Sequence, residues 1–246
     1  MQLLKNKTAL VTGASRGIGS AIAKTLAAHG AYVGINFYRN KEAARESLSA
    51  VKQEGDGMLL SADIALEDEV EAMIEMFVAT TKHIDILVNN AGVYKRSAFQ
   101  ELTSKQWNHI LGINLGGSYH VTRYALPYIP DKGRIIFISS QLGFKGSSHG
   151  TDYATSKAGM LGLMRSLARE LGPQNITANA IAPGTVETDM IASFSQSRRA
   201  ERIACIPLGR LGVPQDVANV CLFLASPWAD YITGETINVN GGLYIH

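Results

Sequence analysis

Thr8–Ala9–Leu10–Val11–Thr12–Gly13–Ala14–Ser15–Arg16–Gly17–Ile18–Gly19 decides the fold. Its first five residues are a short apolar run ending on glycine, which reads as a buried strand. From Ile18 to Ala28 the spacing becomes helical, with Ile18, Ile22 and Leu26 on one face. Between the two lie glycines spaced G-x-x-x-G-x-G. Glycine lets the backbone turn tightly and approach a pyrophosphate, and the helix start offers free N–H groups and the positive end of a dipole. A glycine cluster can also be no more than a flexible turn. Its place between an N-terminal strand and a helix favours a nucleotide site, although the spacing is not the general G-x-G-x-x-G.

Outward from this stretch the β-then-α order repeats. Strands are expected at Tyr32–Phe37, Met58–Ala62, Asp85–Asn89, Arg134–Ser139, Ile176–Ala182 and Thr236–Val239. Helices are expected at Lys41–Gly55, Asp68–Thr81, Ser104–Leu126, Tyr153–Leu171 and Pro214–Leu224. The strands around Leu10, Leu87 and Ile135–Ile138 are apolar on consecutive positions, as strands buried on both faces are. The expectation is one doubly wound α/β domain of the Rossmann type over 1–246, a parallel seven-stranded sheet with helices on both faces. The stretch Glu187 to Arg210 carries no strand signal and is expected to be a helical insertion, a substrate lid at about 187–210.

Bulk properties narrow the partners. The 246 residues are 46% hydrophobic with a net charge of +2, and they contain no long charged block. Neither nucleic acid nor a membrane surface is expected to bind. No apolar run approaches the roughly 18 residues of a membrane span. Met1 to Thr12 leads straight into a strand without a secretory layout, so cytoplasmic residence is expected. Cys205 and Cys221 lie in segments that read as helical and apolar, and both are expected to be packing residues. With six scattered histidines, no metal site and no disulfide are expected.

The cofactor is read from the end of the second strand. A site for NAD places an acid there for the ribose 2′-hydroxyl. Here the residues are Asn36–Phe37–Tyr38–Arg39–Asn40, with no carboxylate before Glu42. Arg39, with Arg16 in the glycine loop, would attract a 2′-phosphate, which favours NADP(H). The plainer reading of Arg39 is a solvated surface arginine. Further on, Tyr153 and Lys157 stand four apart at a helix start and so share a face. An ammonium beside a phenol lowers its pKa from about 10 and makes a general acid/base.

With these elements in order along nearly the whole chain, the sequence resembles the short-chain dehydrogenase/reductase family. The family's T-G-x-x-x-G-x-G matches Thr12 to Gly19, which implies cofactor contacts from Gly13, Ser15, Arg16, Gly17, Ile18 and Gly19. Its acid after the third strand matches Asp63, followed by Ile64, and its N-N-A-G matches Asn89 with Asn90, Ala91 and Gly92. Its active-site asparagine matches Asn114, and its catalytic serine matches Ser140, with Ser139 the neighbouring alternative. Tyr153 and Lys157 match the catalytic pair, and Pro183, Gly184, Val186 and Thr188 match the segment at the nicotinamide end. The resemblance implies that Ser140 binds the substrate carbonyl, Tyr153 protonates it and Lys157 holds the nicotinamide ribose and tunes Tyr153. It implies that Asn114 holds a water linking Lys157 to solvent. A packing role for Asn114 is the alternative.

Within the family the chain is most similar in look to the 3-oxoacyl-carrier-protein reductases, through Pro207–Gly212, Tyr231–Glu235 and Asn240–Tyr244. That similarity implies an NADPH-dependent reductase of a ketone, acting on a 3-oxoacyl thioester, with acyl carrier protein as a partner to be considered. It departs from the subgroup at Val93–Tyr94–Lys95–Arg96, at the loop Gly146–Gly150 with His149, and at Asp131 and Gln174, where that subgroup has basic residues. An acid repels an acidic carrier. The alternatives are an NADP-dependent dehydrogenase of a small alcohol, sugar or cyclic alcohol, and a non-catalytic nucleotide sensor. The lid's Arg198–Arg202 cluster reads as an anion contact or a solvated face, and its Met190, Ile191 and Phe194 suit an apolar substrate or ordinary packing. A homotetramer is implied through the helices at Ser104–Leu126 and Tyr153–Leu171 and the final strand, with Gly159 and Gly162 permitting close approach.

Overall fold

The computed structural model describes residues 2–192 and 194–245. Strands β1 Thr8–Val11, β2 Tyr32–Phe37, β3 Asp56–Ser61, β4 Ile86–Asn89, β5 Arg134–Ile138, β6 Thr177–Pro183 and β7 Thr236–Val239 form one sheet. Its order is β3-β2-β1-β4-β5-β6-β7, and every neighbouring pair is parallel. The consecutive apolar residues divide between two cores. Val11, Ile86, Val88, Ile136 and Ile138 pack on one face, whereas Leu10, Leu87, Ile135 and Phe137 pack on the other. Each such side chain, fully buried, contributes about 1.5–3 kcal/mol relative to exposure.

The helices are α1 Gly17–Ala28, α2 Lys41–Lys52, α3 Glu67–Thr81, α4 Ser104–Leu111, α5 Gly117–Ala125, α6 Leu142–Lys145, α7 Thr151–Leu171, α8 Gln196–Ala204 and α9 Pro214–Ala225. Helices α1 and α9 cover the first core through Ile22, Leu26, Val217 and Leu224. Helices α3, α5 and α7 cover the second through Ile74, Phe77, Val121, Met160 and Met164. From β1 the chain winds outward to β2 and β3, and from β4 it winds the other way. The β1–β4 boundary is therefore the topological switch point, beyond whose strand ends a ligand crevice lies in such sheets.

Four differences from the sequence expectation have physical causes. The helix expected over Ser104–Leu126 is broken by a π-helical turn at Gly112–Gly116. Glycines at 112, 116 and 117 weaken the helix there, and the amide of Asn114 is held from outside it. A short helix, α6, forms in the unassigned stretch after β5. Cys221 is buried as expected, but Cys205 is exposed at the C-terminal end of α8. Gly159 is not free for a partner chain: a Cβ there would meet the Leu115 side chain at 2.8 Å, within the chain, while Gly162 faces open space.

The stretch expected to be a lid holds a 3-10 turn, Asp189–Ile191, and α8, with residue 193 outside the described residues. Its apolar side chains make a small cluster of their own, Ile191, Ile206 and Leu211 with Phe194, Ile203 and Leu243. Among the described residues no helix is long and apolar enough to cross a membrane.

Candidate active site

The glycine loop leaves β1 at the switch point and is tied to the end of β4. Thr12 Oγ1 accepts from Asn90 N at 2.9 Å and Ala91 N at 3.0 Å, and Asn90 Nδ2 donates to Thr12 O at 2.8 Å and Gly13 O at 3.1 Å. Gly13 takes a φ of +60°, and a Cβ there would lie 2.7 Å from Ala91 Cα, so the loop requires glycine. The start of α1 has no side-chain cap and no acid in its first turn. Its N–H groups and dipole are thereby left for an anion. These features fit a dinucleotide pyrophosphate against Gly13 to Gly19.

Sequence reading missed the residue that holds this loop. Asn36 Oδ1 accepts from Gly13 N at 3.1 Å, and its Nδ2 donates to Leu60 O at 3.3 Å and Ala62 O at 3.2 Å. The signal was present: Asn36 is a polar residue in a strand of buried apolar ones, and a buried amide needs partners.

The end of β2 presents an exposed Arg39, its guanidinium 4.8 Å from the centre of the Tyr38 ring. The Tyr38 hydroxyl, and more distantly Asp63, raise the Arg39 pKa and keep it charged. Arg16 is also exposed and pairs with Asp189 at 3.1 Å. Asp63 Oδ1 accepts from Ala65 N at 3.0 Å. The Ile64 side chain is core, packed toward Gly117, so only its main chain remains for a ligand.

The expected catalytic residues converge beyond β4 and β5. Ser139 Oγ donates to Lys157 O at 2.9 Å, which fixes Ser139 as a strut between β5 and α7. Ser140 hydrogen-bonds the Tyr153 phenol. Of the two neighbouring serines, Ser140 is the one that reaches the phenol. Lys157 is buried and its Nζ donates to Ile138 O at 2.7 Å. That Nζ lies 5.7 Å from the centre of the Tyr153 ring. A Cβ on Gly92 would meet Asn114 Oδ1 at 3.2 Å and Lys157 Nζ at 3.4 Å, so the N-N-A-G segment, the π-turn and α7 meet at one point.

Asn114 is fully buried in that turn. Its Oδ1 accepts from Val93 N at 2.8 Å, and its Nδ2 donates to Val93 O at 3.0 Å and Ser156 Oγ at 3.0 Å. Its side chain thus joins the strand-β4 loop to the catalytic helix.

The electrostatics correct one expectation. Burial pushes the Tyr153 phenol up to about 12, with the Ser140 hydrogen bond pulling it down and Tyr94 adding to the rise. Burial likewise pushes Lys157 down to about 8. The i, i+4 spacing brings the ammonium over the ring but directs its proton to Ile138 O, so desolvation outweighs charge attraction.

Around this centre, Pro183 ends β6, and Gly184 N donates to Val239 O at 2.9 Å beside β7. Val186 bridges Gly212, and Thr188 leads into the 3-10 turn near Gly17. The basic cluster of the 187–210 segment is partly spent: Arg199 pairs with Glu187 at 2.6 Å, and Arg198 stacks 3.9 Å from the Phe194 ring centre. The ring of His149 meets Ser148 Oγ at 2.9 Å. Asp131 accepts from Asn175 Nδ2 at 2.8 Å, and Gln174, next to Asn175 in sequence, is exposed.

A family model described as Enoyl-(Acyl carrier protein) reductase matches residues 13–244. The chain is 41% identical over 242 residues to a Staphylococcus aureus protein named 3-oxoacyl-[acyl-carrier-protein] reductase FabG, covering 97% of this chain and 98% of that one. It is 42% identical over 243 residues to the Escherichia coli protein of the same name, covering 98% of each. A solved blue fluorescent protein from a metagenomic library, in complex with NADPH, matches with a TM-score of 0.94 at 35% identity, over 99% of this chain and 100% of that one. A short chain dehydrogenase from Burkholderia cenocepacia, in complex with NADP, matches with a TM-score of 0.93 at 32% identity, over 98% of this chain and 99% of that one.

Proposed function

The chain belongs to the short-chain dehydrogenase/reductase family, and from that premise we propose an NADPH-dependent reductase of the ketone of a 3-oxoacyl thioester. The observation that carries this reading is the half-buried Tyr153 phenol, hydrogen-bonded to Ser140 and kept on its protonated side. An oxygen gaining charge as a carbonyl is reduced is a stronger base than a phenolate. A phenol near 12 gives up its proton to that oxygen yet keeps it otherwise.

In this reading Gly13, Ser15, Gly17, Ile18 and Gly19 hold the pyrophosphate, Arg16 and Arg39 the 2′-phosphate, and Asp63 with the main chain of Ile64 the adenine. Asn90, Ala91, Gly92, Tyr153 and Lys157 hold the nicotinamide ribose, and Pro183, Gly184, Val186 and Thr188 flank the nicotinamide. NADPH, when bound, supplies the hydride. Ser140 orients the substrate carbonyl and Tyr153 protonates its oxygen. Lys157 keeps positive charge beside the phenol that has lost its proton. Asn114 maintains the π-turn through which a water-borne proton reaches Lys157. The segment 187–210 acts as the lid. A homotetramer and cytoplasmic residence belong to the same proposal, and light scattering in solution tests the former.

Asp131, bonded to Asn175, favours a second reading in which the ketone, or the small alcohol formed from it, is not borne by an acidic carrier. Loss of NADPH absorbance against 3-oxoacyl thioesters on carrier protein, the same thioesters free, simple ketones and aldehydes tests both. The proposal expects turnover of 3-oxoacyl thioesters with NADPH in strong preference to NADH. Turnover of small ketones alone supports the second reading, and no turnover of any carbonyl overturns both.

A further inference from the structure

We propose that Tyr94 is a positioning and specificity residue, a rigid wall against Tyr153 that limits the bulk a substrate carries on that side of its ketone. The inference rests on the reductase reading above, in which Tyr153 is the proton donor. It concerns a residue that none of the roles assigned above uses.

Tyr94 is fixed at both ends. Its backbone follows Val93, whose N–H and C=O are both bound by the Asn114 amide, at 2.8 Å and 3.0 Å. Its hydroxyl donates to His149 O at 3.1 Å, and Ser97 N donates to the same carbonyl at 3.3 Å. The segment from Val93 to Ser97 is therefore laced to the loop that precedes α7. Between these anchors the ring rests on Gly150, the residue before α7: a Cβ there would lie 2.7 Å from the Tyr94 ring carbon Cε2. Only glycine allows that approach.

This ring meets that of Tyr153. The two ring centroids are 5.0 Å apart and the planes stand at 70°, the favourable edge-to-face arrangement. Tyr153 is thus held from three sides: Ser140 at its hydroxyl, Lys157 over its ring and Tyr94 at its flank. Tyr94 is itself half-buried, so part of its ring remains open beside the phenol. A substituent on the substrate that reached toward residues 94–97 would have to displace a side chain anchored at its backbone and at its hydroxyl. Methylene-sized groups are the bulk that such a wall discriminates.

The test compares wild type, Tyr94→Ala and Tyr94→Phe with a linear 3-oxo thioester and with one branched or aryl-substituted next to the ketone. NADPH binding, read by the fluorescence of the bound nicotinamide, monitors the fold. Tyr94→Ala should lower kcat for the linear substrate about two- to tenfold with little change in KM, the worth of one aromatic edge contact. It should raise kcat/KM for the bulky substrate relative to the linear one by about tenfold or more. Tyr94→Phe should recover most of the lost kcat and still exclude the bulky substrate. Binding of the corresponding bulky alcohol to the NADPH-loaded protein should tighten in Tyr94→Ala by a similar factor, without turnover. If Tyr94→Ala loses NADPH binding, Tyr94→Leu makes the same comparison. An unchanged bulky-to-linear ratio in the folded variant overturns this role and leaves the reductase reading standing. Wild-type protein that turns over no carbonyl overturns the reductase reading, and this role with it.

Discussion

Replacing Asn36 with leucine removes the side chain that ties the glycine loop to the sheet. Asn36 is 2% exposed, and its amide makes one bond to Gly13 N and two to the carbonyls of Leu60 and Ala62. Leucine fits a similar volume, so packing loss is small. The Gly13 N–H is left without this partner, at about 1–3 kcal/mol for an orphaned buried donor. The two carbonyl bonds, at 3.2–3.3 Å, are long and add about 0.5–1 kcal/mol each. Burial of an additional apolar group offsets part of this, which leaves a loss of about 2–4 kcal/mol. Urea unfolding followed by far-ultraviolet circular dichroism measures it directly. Because Gly13 is also a close-packed point of the loop, where a Cβ would lie 2.7 Å from Ala91 Cα, NADPH affinity should fall by about tenfold or more, equivalent to about 1.4 kcal/mol. Stability within about 0.5 kcal/mol of wild type, with NADPH affinity unchanged, would refute the reasoning, since surface-like substitutions stay in that range.

Other expectations concern single sites. Lys157→Met should abolish turnover and yet stabilise the protein at pH 7. The lysine's folded pKa of about 8 lies below its ordinary 10.5, so between these values the unfolded chain binds more protons and stability rises with pH. That liability is fully present below pH 8, and its removal, less the lost bond to Ile138 O, is worth about 2 kcal/mol; the variant's urea midpoint should exceed that of wild type at pH 7, and the difference should close as pH rises to 10. Gly13→Ala should lose NADPH binding altogether, measured by fluorescence titration, because its Cβ would press on Ala91 at a φ of +60°. Alcohol oxidation with NADP should rise about tenfold per pH unit from pH 7 to 9 while ketone reduction does not rise, since oxidation needs the Tyr153 phenolate and the phenol sits near 12. A thiol reagent should modify Cys205 alone in the native protein and Cys221 as well after denaturation, as their burial dictates.

What the sequence disclosed follows from how local each feature is. The double-faced burial of β1, β4 and β5 is written in consecutive residues, and Leu10 and Val11 went to opposite cores as that pattern requires. The glycine loop and the Tyr153–Lys157 spacing are equally local. The π-turn around Asn114 was not legible, because the bonds that hold Asn114 come from Val93 and Ser156, far along the chain. Ser139 and Ser140 are alike in sequence, and only the Lys157 carbonyl separates the strut from the site residue. The sign of the Tyr153 shift was misjudged from spacing, since an i, i+4 lysine is visible in sequence and the desolvation of both groups is not. The exposure of Cys205 was not legible, because the apolar residues near it turn into the small cluster of the 187–210 segment while the cysteine itself follows α8 facing solvent.

The central claim is that Tyr153 protonates the substrate oxygen while NADPH is bound beside it. Single-turnover reduction of a 3-oxoacyl thioester by Tyr153→Phe, set beside its NADPH dissociation constant, tests this most directly. The account predicts an NADPH affinity close to that of wild type and a reduction rate lower by about a hundredfold to ten-thousandfold, the worth of a positioned general acid. Reduction at a wild-type rate by the NADPH-bound variant would contradict it.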